Sequence, residues 1–437
     1  MITKENGKYM DILEVVSELK RVYTERFGEV EVISPDYGVN DNVIARMLGR
    51  LEDSDFDDIF KFLNIRQYGK YVLLRYKDMT ELYSEMSPEK FWSMYGNLYR
   101  KCRTIVIDMS NCTCVMHGYD KFFNVGELEE TSLKKVLTKT KKCSHFEVSN
   151  KLDGSMVIGR CIDGEIMLVT SNSIDPSESW RLELAYSLIT DEIRTMLTES
   201  NALTFIFEMI SPEDPHVVNY SSDEYGLHLI GIRCMDNGTA LSGNGYLLSY
   251  GSVINVAALY GIKTTEKFNI DIETIMSQLD DKKSDEAEGF VVRIDDDFYK
   301  IKYHDYVYMH SMLSGMVSPN AVINAIRKGT YDDFRSKIPA AYAERVTEIA
   351  DVVFKCIKLL NIYVYGEVFS IRSMYSTIGE QMRYVTDNVE KRLQFYVRMG
   401  LRDKYEGLFS KPSTMRLNEI TSLLYLLENT LFEDTNE

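Results

Sequence analysis

EGFVVRIDDDFYKIKY, running from Glu288 to Tyr303, is the stretch on which the fold turns. Both halves, GFVVRI and FYKIKY, are rich in β-branched and aromatic residues and read as strands. Upstream the same signal recurs in YVLLRY, RTIVID, HFEV, MVIGRCI, FIFEM and LHLIGI, with helical patterns such as ESWRLELAYSLITDEIRTML between them. Downstream the period changes. Val346, Ile349, Val353, Ile357 and Leu360 share a helical face, as do Leu417, Ile420, Leu424 and Leu427, and only Pro339 and Pro412 interrupt residues 320–437. The pattern predicts an α+β domain of antiparallel sheets flanked by helices over residues 66–315, rather than a doubly wound parallel sheet, followed by an all-α domain over 316–437. Residues 1–65 read as an N-terminal extension. It is partly helical, with Ile12, Val15, Val16, Leu19 and Tyr23 at helical spacing and an acidic stretch at Leu51–Phe60.

A chain of 437 residues is expected to form about two to three domains. Its hydrophobic share of 45% and charged share of 27% are ordinary for a soluble protein. No apolar run approaches the roughly twenty residues of a membrane span, and MITKENGKYM lacks the apolar segment of a secretion signal. The expected place of action is cytoplasmic, with no membrane partner, and a monomer is the expected state. Seven cysteines, an odd number, fit reduced thiols. Cys112 and Cys114 have no matching pair for zinc, and neither a His-Glu-x-x-His pattern nor a Gly-x-x-x-x-Gly-Lys-[Ser/Thr] loop is present.

Chemistry enters with KLDGSM at Lys151–Met156. Attack by a lysine amine on phosphorus requires loss of its proton, although its reference pKa is about 10.4. Strand alternation in FYKIKY puts Lys300 and Lys302 on one face and Tyr299, Ile301 and Tyr303 on the other. If Lys151 shares their site, like-charge repulsion is expected to lower its pKa, while the two cations neutralise a bound phosphate. Gly154 lets the backbone turn tightly beside the substrate. Each piece alone is ordinary, a turn or the wet face of a strand; the combination and order point to covalent capture of a nucleotide.

At this point the chain resembles the covalent nucleotidyltransferases, and among them the RNA ligase 1 type of T-even bacteriophages. RKCRTIVID (Arg100–Asp108), DKFFNVGE (Asp120–Glu127), FIFEMISP (Phe205–Pro212), LHLIGIR (Leu227–Arg233) and KIKYHDYVYMH (Lys300–His310) carry the likeness over about residues 70–335. It implies an ATP-dependent RNA ligase. Lys151 would take AMP from ATP, pass it to the 5′-phosphate of an RNA end, and a 3′-hydroxyl would displace it; cleaved tRNA is the substrate the family suggests. The resemblance implies Lys151, Asp153, Lys300 and Lys302 as catalytic residues. Tyr76, Arg103, Lys121, Phe123, Gly154, Glu208 and Glu288 join Lys151, Lys300 and Lys302 around the nucleotide, with Phe123 packing on the nucleoside. Glu208, Glu288 and Asp332, the last within AVINAIRKGTYDDFR (Ala321–Arg335), are implied as ligands of Mg²⁺ or Mn²⁺.

One position departs from the family. In LVTSNSI (Leu168–Ile174), Asn172 falls where the family has a nucleotide-binding lysine. DNA ligases and capping enzymes share the lysine chemistry but follow it with a barrel of short strands, so helical periodicity after Lys302 speaks against both. An inactive RNA-binding descendant is the non-enzyme alternative. The net charge of −17 weighs against a broad grip on nucleic acid, but LKKVLTKTKKC (Leu133–Cys143) concentrates five lysines that can contact RNA.

Overall fold

In the computed structural model, residues 11–33, 42–83, 86–235, 245–316, 318–336, 338, 340–410 and 415–432 are described. Each of the predicted strand segments contributes a strand. β1 (Leu63–Tyr68), β2 (Tyr71–Tyr76), β3 (Ile105–Asp108) and β4 (Thr113–His117) make a four-stranded antiparallel sheet in chain order. The other strands are β5 (Phe123–Asn124), β6 (Phe146–Lys151), β7 (Ser155–Ile162), β8 (Glu165–Thr170), β9 (Leu203–Ile210), β10 (Gly226–Cys234), β11 (Tyr246–Leu247), β12 (Lys267–Phe268), β13 (Gly289–Ile294) and β14 (Asp297–Lys302). They form two five-stranded sheets ordered β11-β10-β9-β7-β8 and β12-β6-β13-β14-β5. Only the β14–β5 pairing is parallel among the described strand pairs.

The chain divides into two compact units, Met1–Val307 and Tyr308–Glu437. The division falls inside the helix His304–Met316. In the first unit, the helix Ile12–Phe27 is started by an Asp11–Glu14 capping box, which satisfies amide groups that the first helical turn leaves open. Its buried stripe, including Val16 and Leu19, enters the same hydrophobic cluster as Val72, Leu74, Phe91 and Phe123. The stretch read as an extension therefore shares a core with the first sheet. Burial of each such side chain stabilises by about 1.5–3 kcal/mol.

In the second unit, the 35-residue helix Ala340–Met374 supplies Val346, Val353, Leu360, Val364 and Ile371 to a cluster with Tyr396, Ile420 and Leu427. Its described residues contain helices and no strand. Pro339 and Pro412 lie outside the described residues.

Candidate active site

Register brings the three predicted lysines together. Gly289 at the start of β13 lies opposite Lys151 on β6 and opposite Lys302 on β14; one row further, Val291 lies between Ser149 and Lys300. With side chains alternating along each strand, Lys151, Lys300 and Lys302 share one face. The opposite face holds Tyr299, Ile301 and Tyr303, buried with Phe290 and Tyr306. Gly289 has φ 148°, and an added Cβ would collide with the Ile301 carbonyl and the Lys302 backbone, so a side chain there would spread the pair of strands.

Glu288, just before Gly289 and 2% exposed, joins the two lysines. Lys151 Nζ donates to Glu288 Oε2 at 2.7 Å, and Lys302 Nζ pairs with Oε1 at 2.9 Å. After Lys151 the chain turns into β7. Asp153 Oδ2 accepts from the Val217 and Val218 amides at 2.8 and 3.0 Å, Oδ1 accepts from the Tyr306 hydroxyl at 2.7 Å, and the Asp153 amide donates to Tyr220 at 2.7 Å. His216 lies between two carboxylates, 3.5 Å from Asp153 and 3.6 Å from Asp214. Asp153 is thus a brace of the turn. Gly154 donates to Glu208 Oε1 at 3.1 Å, and an added Cβ would strike the Met209 carbonyl, which explains glycine here as a close approach to β9.

Lys151 opens on a cavity of about 390 Å³. Its walls carry Tyr119, Phe122 and Phe298 as apolar surface, with Arg75, Arg103 and Glu208 as charges. The size falls within the range of small-molecule pockets, about 300–1,000 Å³. Arg103, on the short 3₁₀ turn Lys101–Arg103, stands 5.2 Å over the Phe122 ring, and its Nη1 is buried with no hydrogen-bond partner among the described residues. An unpaired buried guanidinium nitrogen is costly, and an anionic oxygen would satisfy it.

The electrostatics correct one expectation. Burial alone would lower the Lys151 pKa, but Glu288, Glu208 and Asp153 outweigh burial and hold it above the ordinary lysine value. Lys300 is the depressed lysine: burial first, then Arg103, Lys121, Lys151 and Lys302, push it down to about 6. The like-charge effect read from the sequence acts on a different amine. Burial raises Glu208 above the usual carboxylate value, partly opposed by Lys151. Burial would also raise Asp153, yet His216, the Val218 amide and Tyr306 bring it down to about 2.

Most of the predicted residues gather here; Phe123, Lys121 and Asp332 lie elsewhere. Tyr76 lines the cavity and meets Trp92 edge-on at 5.8 Å. Phe123 does not line it: β5 pairs in parallel with β14 so that Phe123 sits beside Tyr299 on the core face, 2% exposed, against Trp92. Its neighbour Phe122 is the ring on the site face, with Lys300 Nζ 4.8 Å from its centroid. Lys121 lies 4.8 Å over Phe123 and lines an adjoining cavity. Asp332 is exposed in the second unit, in the helix Tyr331–Ser336. Among the described residues, no group of three or more His, Cys, Asp or Glu is arranged to hold a metal.

Sequence reasoning missed Arg75, Phe122 and His216. Arg75 is hydrogen-bonded to Asn172, so a guanidinium stands where the missing family lysine left no charge. Alternation in YVLLRY and the adjacent aromatics of KFFN were the available signals.

Residues 101–308 match a family model described as RNA ligase. A protein of Thermovibrio ammonificans named "Putative RNA ligase" is 26% identical over 223 residues, covering 49% of this chain and 56% of the relative. The chain therefore spans little more than half the length of that relative. Among solved structures, an archaeal ATP-dependent RNA ligase has a TM-score of 0.41 at 12% identity, covering 86% of this chain and 95% of the other. A Naegleria gruberi RNA ligase solved with ATP and Mn has a TM-score of 0.32 at 16% identity, covering 41% of this chain and 55% of the other.

Proposed function

We propose that this chain is an ATP-dependent RNA ligase that joins 5′-phosphate and 3′-hydroxyl ends, in cytoplasmic RNA repair with cleaved tRNA as a substrate. The observation that carries the reading is the pair of ammonium groups, Lys151 and Lys302, on the two oxygens of buried Glu288, with Lys151 lining a nucleotide-sized cavity. Of the three lysines, Lys151 is the one that lines that cavity. Position, not resting pKa, makes Lys151 the nucleophile.

In the first step Lys151 Nζ attacks the α-phosphorus of ATP. A P–N bond forms, the bond to the bridging oxygen breaks and pyrophosphate leaves. Arg103 and Arg75 receive the phosphate oxygens, and Phe122 and Phe298 flank the nucleoside. Glu288 Oε2 accepts the Lys151 hydrogen bond and is placed to take its proton. An oxygen of the RNA 5′-phosphate then attacks the phosphorus on Lys151, the P–N bond breaks and Lys151 Nζ recovers a proton. A 3′-hydroxyl finally attacks that 5′-phosphate and expels AMP.

Two buried carboxylates beside Lys151 suit Mg²⁺ or Mn²⁺, which often takes only one or two protein ligands beside substrate phosphates. Glu208 and Glu288 would hold it. When bound, it supplies positive charge to the phosphates and offsets the carboxylates that keep Lys151 protonated.

Incubation with [α-³²P]ATP and Mg²⁺ tests the reading. It expects a labelled protein band, absent in Lys151→Ala, and sealing of 5′-phosphorylated single-stranded RNA in preference to nicked duplex DNA. Equal labelling from GTP would favour capping chemistry, and no label from either would favour an RNA-binding module.

A further inference from the structure

The helix Leu133–Thr140 and the two residues after it carry Lys134, Lys135, Lys139, Lys141 and Lys142, all exposed, in a chain of formal net charge −17. Val136 is its buried anchor. Two of the lysines are engaged: Lys135 Nζ is 2.8 Å from Glu129, and Lys139 Nζ reaches Asp297 at 2.7 Å and the Tyr299 hydroxyl at 2.9 Å. No described carboxylate pairs with the ammonium groups of Lys134, Lys141 and Lys142. Three like charges within nine residues, with no described carboxylate on them, are a surface for a polyanion.

Lys139 also lines a second cavity of about 390 Å³. Phe122, Leu247, Arg293 and Phe298 line both this hollow and the one at Lys151, so the two adjoin. Its cations are largely matched within the protein, with Arg100 on Glu130, Arg233 on Asp120 at 3.1 Å and Lys139 on Asp297. It therefore offers little net charge to phosphate. It offers rings instead: Phe122, Phe298 and Tyr246, the last 63% exposed. Cations that follow a backbone beside aromatic faces that accept bases are the two components of a single-strand binding track.

We propose that the single-stranded RNA bearing the 5′-phosphate crosses this face. Its backbone lies on Lys134, Lys141 and Lys142, and a base stacks in the second cavity on Tyr246 and Phe298, leading the 5′ end to Lys151. The proposal rests on the reading of the Lys151 site as an RNA-joining centre, and the test separates the two.

The measurement is equilibrium binding of a 5′-phosphorylated single-stranded RNA across a KCl series, for the wild type and the triple variant K134A/K141A/K142A, with [α-³²P]ATP labelling of each in parallel. The triple variant is expected to bind RNA more weakly at low salt. Its slope of log affinity against log salt should be shallower by about 2, since each phosphate contact contributes about 0.7. Its ATP labelling should equal that of the wild type. Tyr246→Ala is expected to lose about tenfold in affinity with the slope unchanged, the signature of a lost stacking face. A triple variant that labels normally and binds RNA with unchanged affinity and slope overturns the proposal, as does a wild type that binds no RNA. So does a wild type held by anionic lipid vesicles through these lysines without any change in RNA binding. A wild type that binds RNA through the lysines but takes no label keeps the surface and removes the ligase reading.

Discussion

Lysine occupies two opposite settings in this molecule. Around Glu288, Lys151 and Lys302 are mostly buried and fixed on a carboxylate at 2.7 and 2.9 Å, and Lys300 behind them is pushed down to about 6. On the helix Leu133–Thr140 and the two residues after it the same residue type is exposed, and three of its five copies pair with no described carboxylate. Buried charges interact strongly because little solvent screens them, so each one sets the protonation of its neighbours. Exposed charges are screened within about 10 Å at 0.1 M salt and add little to stability. The first cluster suits bond-making and the second a salt-sensitive grip.

The contrast breaks most sharply at the nucleophile. Lys151→Ala is expected to reduce ATP labelling by at least about a thousandfold, read on gels. Glu288→Gln comes next. It removes the acceptor of two ammonium groups, so labelling should fall by about a hundredfold or more and urea unfolding should show a loss of about 3–5 kcal/mol. Unchanged unfolding would mean that the Glu288 pairs are not held as described.

The adjacent rings of KFFN give a third test. Phe123→Ala is expected to destabilise by about 3–5 kcal/mol through a core cavity, whereas Phe122→Ala should raise the KM for ATP with a much smaller change in stability. The reverse assignment would restore the sequence reading.

Lys300 supplies a pH test. Its folded pKa lies below its unfolded value, so the native state binds fewer protons between about 6 and about 10.4, and its burden on stability is full below that window and fades as pH rises through it. Lys300→Met should therefore gain melting temperature over the wild type by more at pH 6 than at pH 9. It should also label poorly at both. Smallest of all, Lys141→Ala is expected to change stability by less than about 0.5 kcal/mol, while its effect on RNA binding is visible only at low salt.

What the sequence made legible follows from local periodicity. A period of two in FYKIKY placed Lys300 and Lys302 together, and the 3.6-residue period of the last third foretold helices. What it hid depends on register between distant strands. That Lys151 shares a row with Lys302 is set by β6 and β14 flanking β13, 137 residues separating Lys151 from its partner Glu288. The side taken by Phe122 and Phe123 depends on the parallel β14–β5 pairing. The sign of the Lys151 shift depends on three carboxylates, two of them, Glu208 on β9 and Glu288 just before β13, far along the chain. His216 has no pattern around it in the sequence and gains meaning only between Asp153 and Asp214.

The sharpest measurement is the site of AMP attachment, mapped by mass spectrometry of peptides after incubation with ATP and Mg²⁺. Attachment at Lys151, despite its raised pKa, is the predicted result. AMP on Lys300, the amine already neutral near pH 7, or RNA sealing with no protein-bound AMP at all, would contradict the assignment.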